Sequence, residues 1–225
     1  MTNPIRDLLE DWSQTQRTPM ITTKAQVRDE MRGQLYEPQR ALLNRIKASF
    51  ANNEPVAICA GQRSGKTFME SVLSFDYQHV IVVGMFNSHG ETQRQLRATT
   101  ELMRMYHENE ISTVAACRFF ELVHSTVTPD TLIILEEPYW WTFPKNERIP
   151  PPQRRLIPHT AEEFFERVCD MTKNVLAMGS RGPSIFTDTP LSCYPTWELN
   201  PNMTRQMLEP EFVFDHDAAT RDFGG

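Results

Sequence analysis

Three runs of apolar residues have the length and continuity of strands that are buried on both faces of a sheet. They span residues 56–59, 79–84 and 131–135. Continuous rather than alternating hydrophobicity is typical of parallel strands that are covered by helices on both sides. Shorter apolar stretches at 113–117 and 184–187 predict two further strands.

Segments with helical spacing separate these runs. The pattern at 38–50 predicts a helix with one apolar face, and Pro38 suits its first turn. The residues of that face are Leu42, Leu43, Ile46 and Phe50. A second helix is predicted at 90–107, and the capping-box pattern that begins at Thr160 predicts a third, from 160 to about 173. Strands that alternate with helices predict an α/β fold, a three-layer sandwich with a mostly parallel central sheet.

The length of the chain and its first residues suggest the domain organisation. A chain of 225 residues fits one domain with a small appendage. Residues 1–30 are polar apart from one apolar helical patch. They predict an N-terminal helical arm, either packed on the core or bound to a partner, and the main domain is expected at 31–225.

Composition narrows the class of protein. Hydrophobic residues make up 40% and charged residues 23%, as in ordinary soluble domains, and no apolar run approaches the roughly 18 residues of a membrane helix. The N-terminus does not have the pattern of a signal peptide. The four cysteines are far apart, which argues against structural zinc and favours reduced thiols in the cytoplasm. A formal net charge of −6 argues against a broad basic surface that coats nucleic acid, although a few local basic side chains remain compatible with DNA binding.

The most specific motif follows the first apolar run, where residues 60–67 read Ala-Gly-Gln-Arg-Ser-Gly-Lys-Thr. A strand, a glycine-bearing loop ending in Gly-Lys-Thr and a helix form the P-loop (Walker A) arrangement, in which backbone N–H groups surround a polyphosphate. Lys66 is predicted to reach the β- and γ-phosphates of ATP, and the Thr67 hydroxyl is predicted to ligate Mg²⁺. The other predicted nucleotide-binding loop residues are Gly61, Gln62, Arg63, Ser64 and Gly65.

The third apolar run ends in a pair of acids, Glu136 and Glu137. Parallel strands end at the same edge of a sheet, so this pair is expected beside the loop. Glu136 is predicted to hold Mg²⁺ through water, and Glu137 to orient and deprotonate the attacking water. Adjacent acids here are typical of the ASCE (RecA-like) branch of P-loop NTPases, which has a strand between the loop strand and the acidic strand. The run 79–84 is one candidate for that strand, and a different sheet order is the alternative.

Four stretches together resemble the ATPase domain of the large terminase subunit, the motor that packages DNA in tailed bacteriophages. They are residues 36–43, 60–67, 132–137 and 186–190. The tail of the chain resembles the segment that closes that domain, so the resemblance covers about residues 30–225. In the family a nuclease domain of RNase H type comes next, and we expect it to be absent from this chain.

The resemblance implies further roles. Gln39 would hydrogen-bond the adenine edge; the alternative is a solvated helix residue. Thr187 and Thr189 would couple loss of the γ-phosphate to DNA movement; the alternative is an ordinary strand-to-turn segment. Glu136 departs from the usual Asp, and Gln62 from a frequent Arg. Arg63 is therefore either a catalytic, phosphate-contacting side chain or a surface residue. Many family members have an arginine finger just before the acidic strand, where this chain has none, so the candidates are Arg118, Arg148, Arg154, Arg155 and Arg181.

The function implied by the resemblance is ATP hydrolysis that powers translocation of double-stranded viral DNA into a procapsid, at the portal in the host cytoplasm. The implied partners are double-stranded DNA, the portal protein and the small terminase subunit, and no membrane is involved. Further copies of the chain would form a ring on the portal; the alternative is a monomer in isolation. The proline- and arginine-rich segment 143–158 either grips DNA phosphates or is a solvated loop. Trp140 and Trp141 are expected to pack in the core rather than stack on DNA. The alternative functions are the motor domain of a helicase-like remodeller and a nucleotide-binding scaffold without turnover.

Overall fold

The computed structural model describes residues 24–85, 110–141, 143, 158–180 and 191–224. The described strands are β1 (Val56–Ala60), β2 (His79–Gly84), β3 (Glu110–Ala115), β4 (Leu132–Glu136), β5 (Asn174–Gly179) and β6 (Leu191–Tyr194). The described α-helices are α1 (Lys24–Gln34), α2 (Glu37–Ala51), α3 (Lys66–Ser74), α4 (Phe119–Leu122), α5 (Ala161–Cys169), α6 (Thr196–Leu199), α7 (Glu209–Phe214) and α8 (His216–Phe223).

The six strands form one sheet in the order β3-β2-β4-β5-β1-β6, and every pairing is parallel. All six carboxyl ends therefore lie at one edge of the sheet. Met178 in β5 is level with Ile58 in β1 and with Glu136 in β4. This register brings the end of the acidic strand close to the start of the loop that follows β1.

Helices cover both faces of the sheet, as continuous apolar strands require. One core packs α1, α2 and α3 against residues such as Ile58 and Leu176, and the other packs α4 and α5 against residues such as Ile133 and Val175. Ile58 and its neighbours Ala57 and Cys59 point into opposite cores because successive strand residues alternate between the faces. The expected α/β architecture with a parallel sheet is confirmed.

The local signals of helices and strands are confirmed with small shifts at their ends, and β2 coincides with the predicted run 79–84. Helix α2 has Pro38 in its first turn and buries the four predicted apolar residues. Helix α5 begins as the capping box predicts, since the Thr160 hydroxyl accepts a hydrogen bond from the Glu163 N–H, but it ends at Cys169 rather than near 173. Strand β3 is displaced toward the N-terminus from the predicted 113–117.

The strand between β1 and β4 is β5, not the run 79–84. That run forms β2, which lies on the other side of β4. The segment 174–179 was not predicted as a strand, although its residues Val175 to Met178 are all buried. The predictions for 1–23, 90–107 and 184–187 lie outside the described residues, and residues 24–30 belong to α1.

Candidate functional site

A loop of five residues, 61–65, connects β1 to α3 and is called the glycine loop below. Two of its residues have left-handed backbones, Arg63 at a φ of 61° and Gly65 at a φ of 89°. Gly65 is also confined by space, because a Cβ there would lie 2.5 Å from Nε2 of Gln39. It stands at the N-cap of α3 without any side-chain cap. The first N–H groups of that helix are therefore available to an anion, which the helix dipole also favours.

Side chains from outside the loop hold three consecutive carbonyls of the glycine loop. Thr196 Oγ1 donates to the carbonyl of Gln62 at 2.7 Å, Asn200 Nδ2 donates to that of Arg63 at 2.8 Å, and Gln39 Nε2 donates to that of Ser64 at 2.8 Å. In a planar trans peptide the next N–H points opposite to the carbonyl. The N–H groups of Arg63 and Gly65 therefore point away from these anchors, as in an anion-binding nest, whereas the Ser64 N–H donates to the carbonyl of Gly61 at 3.3 Å.

Two backbone contacts fix the start of the glycine loop. The Gly61 N–H donates to the carbonyl of Tyr194 at 3.0 Å, and the Gln62 N–H donates to the carbonyl of Asp222 in α8 at 2.5 Å. A Cβ on Gly61 would lie 2.3 Å from Thr196 Oγ1 and 2.6 Å from the carbonyl oxygen of Phe223. The start of the loop is thus held between the end of β6 and helix α8. Only glycine fits at position 61.

Replacing Thr196 with valine should loosen the glycine loop without changing the shape of the site. The residue is fully buried, and the change removes the only side-chain donor that Thr196 offers to the Gln62 carbonyl. We expect a loss of about 1–3 kcal/mol in the free energy of unfolding, with weaker ATP binding. Denaturant unfolding and titration with a fluorescent ATP analogue measure both quantities.

Thr126→Val is the matched control, because the Thr126 hydroxyl also donates to a backbone carbonyl, that of Val123, but on the exposed surface. This control should leave ATP affinity unchanged. Unchanged ATP affinity in Thr196→Val would mean that the anchor is not needed to shape the loop.

The second of the two paired acids is held firmly. Glu137 has a left-handed backbone, with a φ of 50°, and its N–H donates to the carbonyl of Met178 at 3.0 Å. Its carboxylate accepts from the N–H of Ser180 at 2.6 Å and from the Ser180 hydroxyl at 3.0 Å. A Cβ on Gly179 would lie 2.8 Å from Glu137 Oε2, so the end of β5 needs glycine to admit this carboxylate.

Lys66 connects the glycine loop to the acid pair. Its Nζ donates to the carbonyl of Ala60 at 3.0 Å and lies 3.8 Å from Glu137 Oε1 and 3.4 Å from the Ser180 hydroxyl. Its side chain is only 14% exposed. The fold therefore brings Lys66 and the N-terminus of α3 to the carboxylate of Glu137, which lies 71 positions further along the sequence, at the edge of the sheet.

The first acid of the pair faces another acid. Glu136 is 9% exposed and Glu70, on α3 one turn after Thr67, is 1% exposed. Burial raises the pKa of Glu70 well above its ordinary value, and so do the negative charge of Glu136 and a hydrogen bond between the two carboxyls, whereas Lys66 opposes the shift. Sequence reasoning missed Glu70; the available signal was its helical spacing from Thr67, in a helix whose other large buried side chains are Met69, Val72 and Leu73.

The other predicted site residues are placed as follows. The side chains of Gln62 and Arg63 are exposed, and that of Thr67 is half-buried at the start of α3. Gln39 is 4% exposed, which excludes the solvated alternative, and its Oε1 accepts from the Tyr36 N–H at 3.0 Å. Sequence reasoning also missed Thr196 and Asn200, because their role depends on a contact more than 130 positions away along the chain. Thr187, Thr189, Arg148, Arg154, Arg155 and Arg181 lie outside the described residues.

Trp141 packs in the core, as predicted. It is 8% exposed, its ring lies 5.3 Å from that of Phe164, and its Nε1 donates to the carbonyl of Glu136 at 3.0 Å. The indole therefore holds the end of the acidic strand through the carbonyl of its last residue. The side chain of Trp140 is outside the described part of the structure.

Comparison of the chain with protein-family models, with curated proteins and with solved structures finds no match. Within the described residues, no helix is long and apolar enough to cross a membrane. In the same part of the chain there is no group of three or more His, Cys, Asp or Glu side chains that could hold a metal ion.

Proposed function

We propose that the protein binds Mg·ATP at the glycine loop and hydrolyses it, as a P-loop NTPase of the branch that has an extra strand between the loop strand and the acidic strand. The observation that carries the proposal is the 3.8 Å separation between Lys66 Nζ and Glu137 Oε1 at the end of the glycine loop. The position of β5 between β1 and β4 supports the choice of branch.

The residues present fit a magnesium-bound triphosphate. Magnesium favours oxygen ligands and commonly takes one or two carboxylates together with phosphate oxygens and water. The Thr67 hydroxyl and the Glu136 carboxylate would hold the ion, which when bound neutralises charge on the phosphates. Lys66 would leave its backbone carbonyl partner for the β- and γ-phosphates, and the N–H groups at the end of the glycine loop and the start of α3 would bind the remaining phosphate oxygens.

Glu137 is the group that would orient the attacking water and accept its proton. Ser180 fixes both of its carboxylate oxygens, and such fixed geometry is what general-base catalysis requires. The carboxylate remains 22% exposed, so water can reach it. These contacts favour a hydrolytic site over a scaffold that only binds nucleotide.

Gln39 would hydrogen-bond the adenine of ATP while it also holds the glycine loop. Its amide donates one hydrogen bond to Ser64 and accepts one from Tyr36. A glutamine amide has two donor hydrogens and two acceptor lone pairs, so one of each remains for the adenine edge. We propose both roles for this residue.

The physiological role that we propose is DNA packaging, and it is supported by the terminase-like motifs alone. In that role the protein would act with double-stranded DNA, the portal protein, the small subunit and neighbouring copies in a ring at the procapsid portal. A neighbour would supply an arginine to each site. Arg118 is the candidate within the described residues: it is 57% exposed and follows β3, the edge strand of the sheet there.

The isolated protein should hydrolyse ATP slowly, at a rate per subunit that rises steeply with protein concentration. An arginine supplied by a neighbour is worth about 10³–10⁵ in rate, and only assembly brings it into place. Phosphate release measured over a wide range of protein concentration, with and without linear double-stranded DNA, tests this. DNA should increase the rate further.

Other outcomes of that measurement point elsewhere. A flat rate per subunit would contradict completion of the site by a neighbour. Strand separation on a forked substrate would favour the helicase-like remodeller. Tight ATP binding with no phosphate release at any concentration would favour the scaffold.

A further inference from the structure

Glu70 is a buried acid to which no part of the proposed chemistry has yet been assigned. It lies in the middle of α3 and is 1% exposed, and among the described residues its carboxyl oxygens have no donor, because the Glu136 carboxyl that faces them is itself an acceptor unless it is protonated. Burial of an unpaired carboxylate costs several kcal/mol, as an order of magnitude, so such a residue needs a compensating partner. The other large side chains that α3 buries are apolar, those of Met69, Val72 and Leu73, and its other buried polar residues are the small Ser71 and Ser74.

The surroundings of Glu70 indicate what that partner is. Its carboxyl faces the carboxyl of Glu136, and the charges of Lys66 and Glu137 also act on it. Two facing carboxylates repel each other, and a divalent cation beside them attracts both and so offsets their repulsion. Thr67, the predicted hydroxyl ligand, lies one helical turn before Glu70 on the same side of α3.

We propose that Glu70 is a second carboxylate for the nucleotide-bound Mg²⁺, so that Glu70 and Glu136 would hold the hydrated ion together with the Thr67 hydroxyl and the phosphates. The inference rests on the proposed ATP site. Two carboxylates, one hydroxyl, phosphate oxygens and water make up the mixed oxygen shell that magnesium prefers.

A purely structural role is the rival explanation. In that case Glu70 would donate a shared proton to Glu136 and only hold its side chain in place. Glutamine distinguishes the two roles, because its amide can still donate a hydrogen bond to Glu136 but provides no negative charge. Glu70→Gln should therefore preserve the fold and the position of Glu136 while removing the second carboxylate.

The test is a titration of Mn²⁺, followed by electron paramagnetic resonance, into protein saturated with a non-hydrolysable ATP analogue. Loss of a group that supports a metal typically weakens metal affinity by about 10- to 100-fold, and we expect a loss of this size in Glu70→Gln. Glu166→Gln, the same change at an exposed position on α5, is the control and should bind Mn²⁺ as the wild type does. Affinity for the analogue in EDTA should be equal in all three proteins.

The outcomes separate this inference from the function on which it rests. If the wild type binds no analogue, or binds it without any effect of Mn²⁺, the proposed ATP site is wrong. If the wild type shows the effect and Glu70→Gln shows it equally, the second carboxylate is wrong and the ATP site stands. If Glu70→Gln does not fold, Glu70→Asp and Glu70→Asn, which match each other in size, allow the same comparison: only the aspartate should retain metal affinity.

Discussion

Replacing Glu137 with glutamine is expected to lower ATP turnover by about 10²–10⁴-fold while ATP binding persists. Glutamine has the same shape, so its amide oxygen can still accept from the Ser180 N–H and its amide nitrogen can donate to the Ser180 hydroxyl. The position of the side chain is therefore kept and only its basicity is lost. Single-turnover hydrolysis and equilibrium binding of ATP measure the two effects separately.

Glu166→Gln, an identical change on the exposed surface of α5, should leave both measurements unchanged. The interpretation of Glu137 as the base would be wrong if its glutamine variant hydrolysed ATP at the wild-type rate. If the variant lost binding and turnover in equal measure, Glu137 would instead be needed to build the site.

Replacing Lys66 with alanine is expected to remove ATP binding and turnover together. A charge-assisted hydrogen bond contributes about 1.5–3 kcal/mol, so losing one weakens affinity by about 10- to 100-fold, and Lys66 is predicted to make bonds to two phosphates. The change also removes a positive charge that acts on Glu70 and lies 3.8 Å from Glu137 Oε1. Calorimetric titration with ATP and phosphate release test the two losses.

Lys173→Ala, at an exposed position just before β5, is the corresponding control and should behave as the wild type. Far-ultraviolet circular dichroism establishes that Lys66→Ala is folded. A folded Lys66→Ala protein with wild-type affinity for ATP would exclude the glycine loop as the phosphate site.

Several features of this fold were predictable because their signals are local. The capping box at Thr160, the apolar face of α2 and the Gly-Lys-Thr end of the loop each depend on residues a few positions apart. The position of the acid pair could also be predicted, since an apolar run that ends in carboxylates places them at the sheet edge whatever the strand order.

The remaining features depend on contacts between distant segments. The order of strands in a parallel sheet is decided by which helices pack on which face, so the place of β5 between β1 and β4 had no signature in its own residues. Thr196 and Asn200 are unremarkable polar residues until β6 brings them against the glycine loop. Glu70 looks like any helical acid until β4 places Glu136 opposite to it.

The contact between the glycine loop and α8 has a mechanical consequence. The Gln62 N–H is bonded to the Asp222 carbonyl, and Gly61 has main chain against it at Phe223. If α8 moves outward, that bond must break; if it moves inward, backbone collides with backbone. A displacement of α8 is therefore expected to disturb the backbone of Gly61 and Gln62 directly, without passing through the sheet.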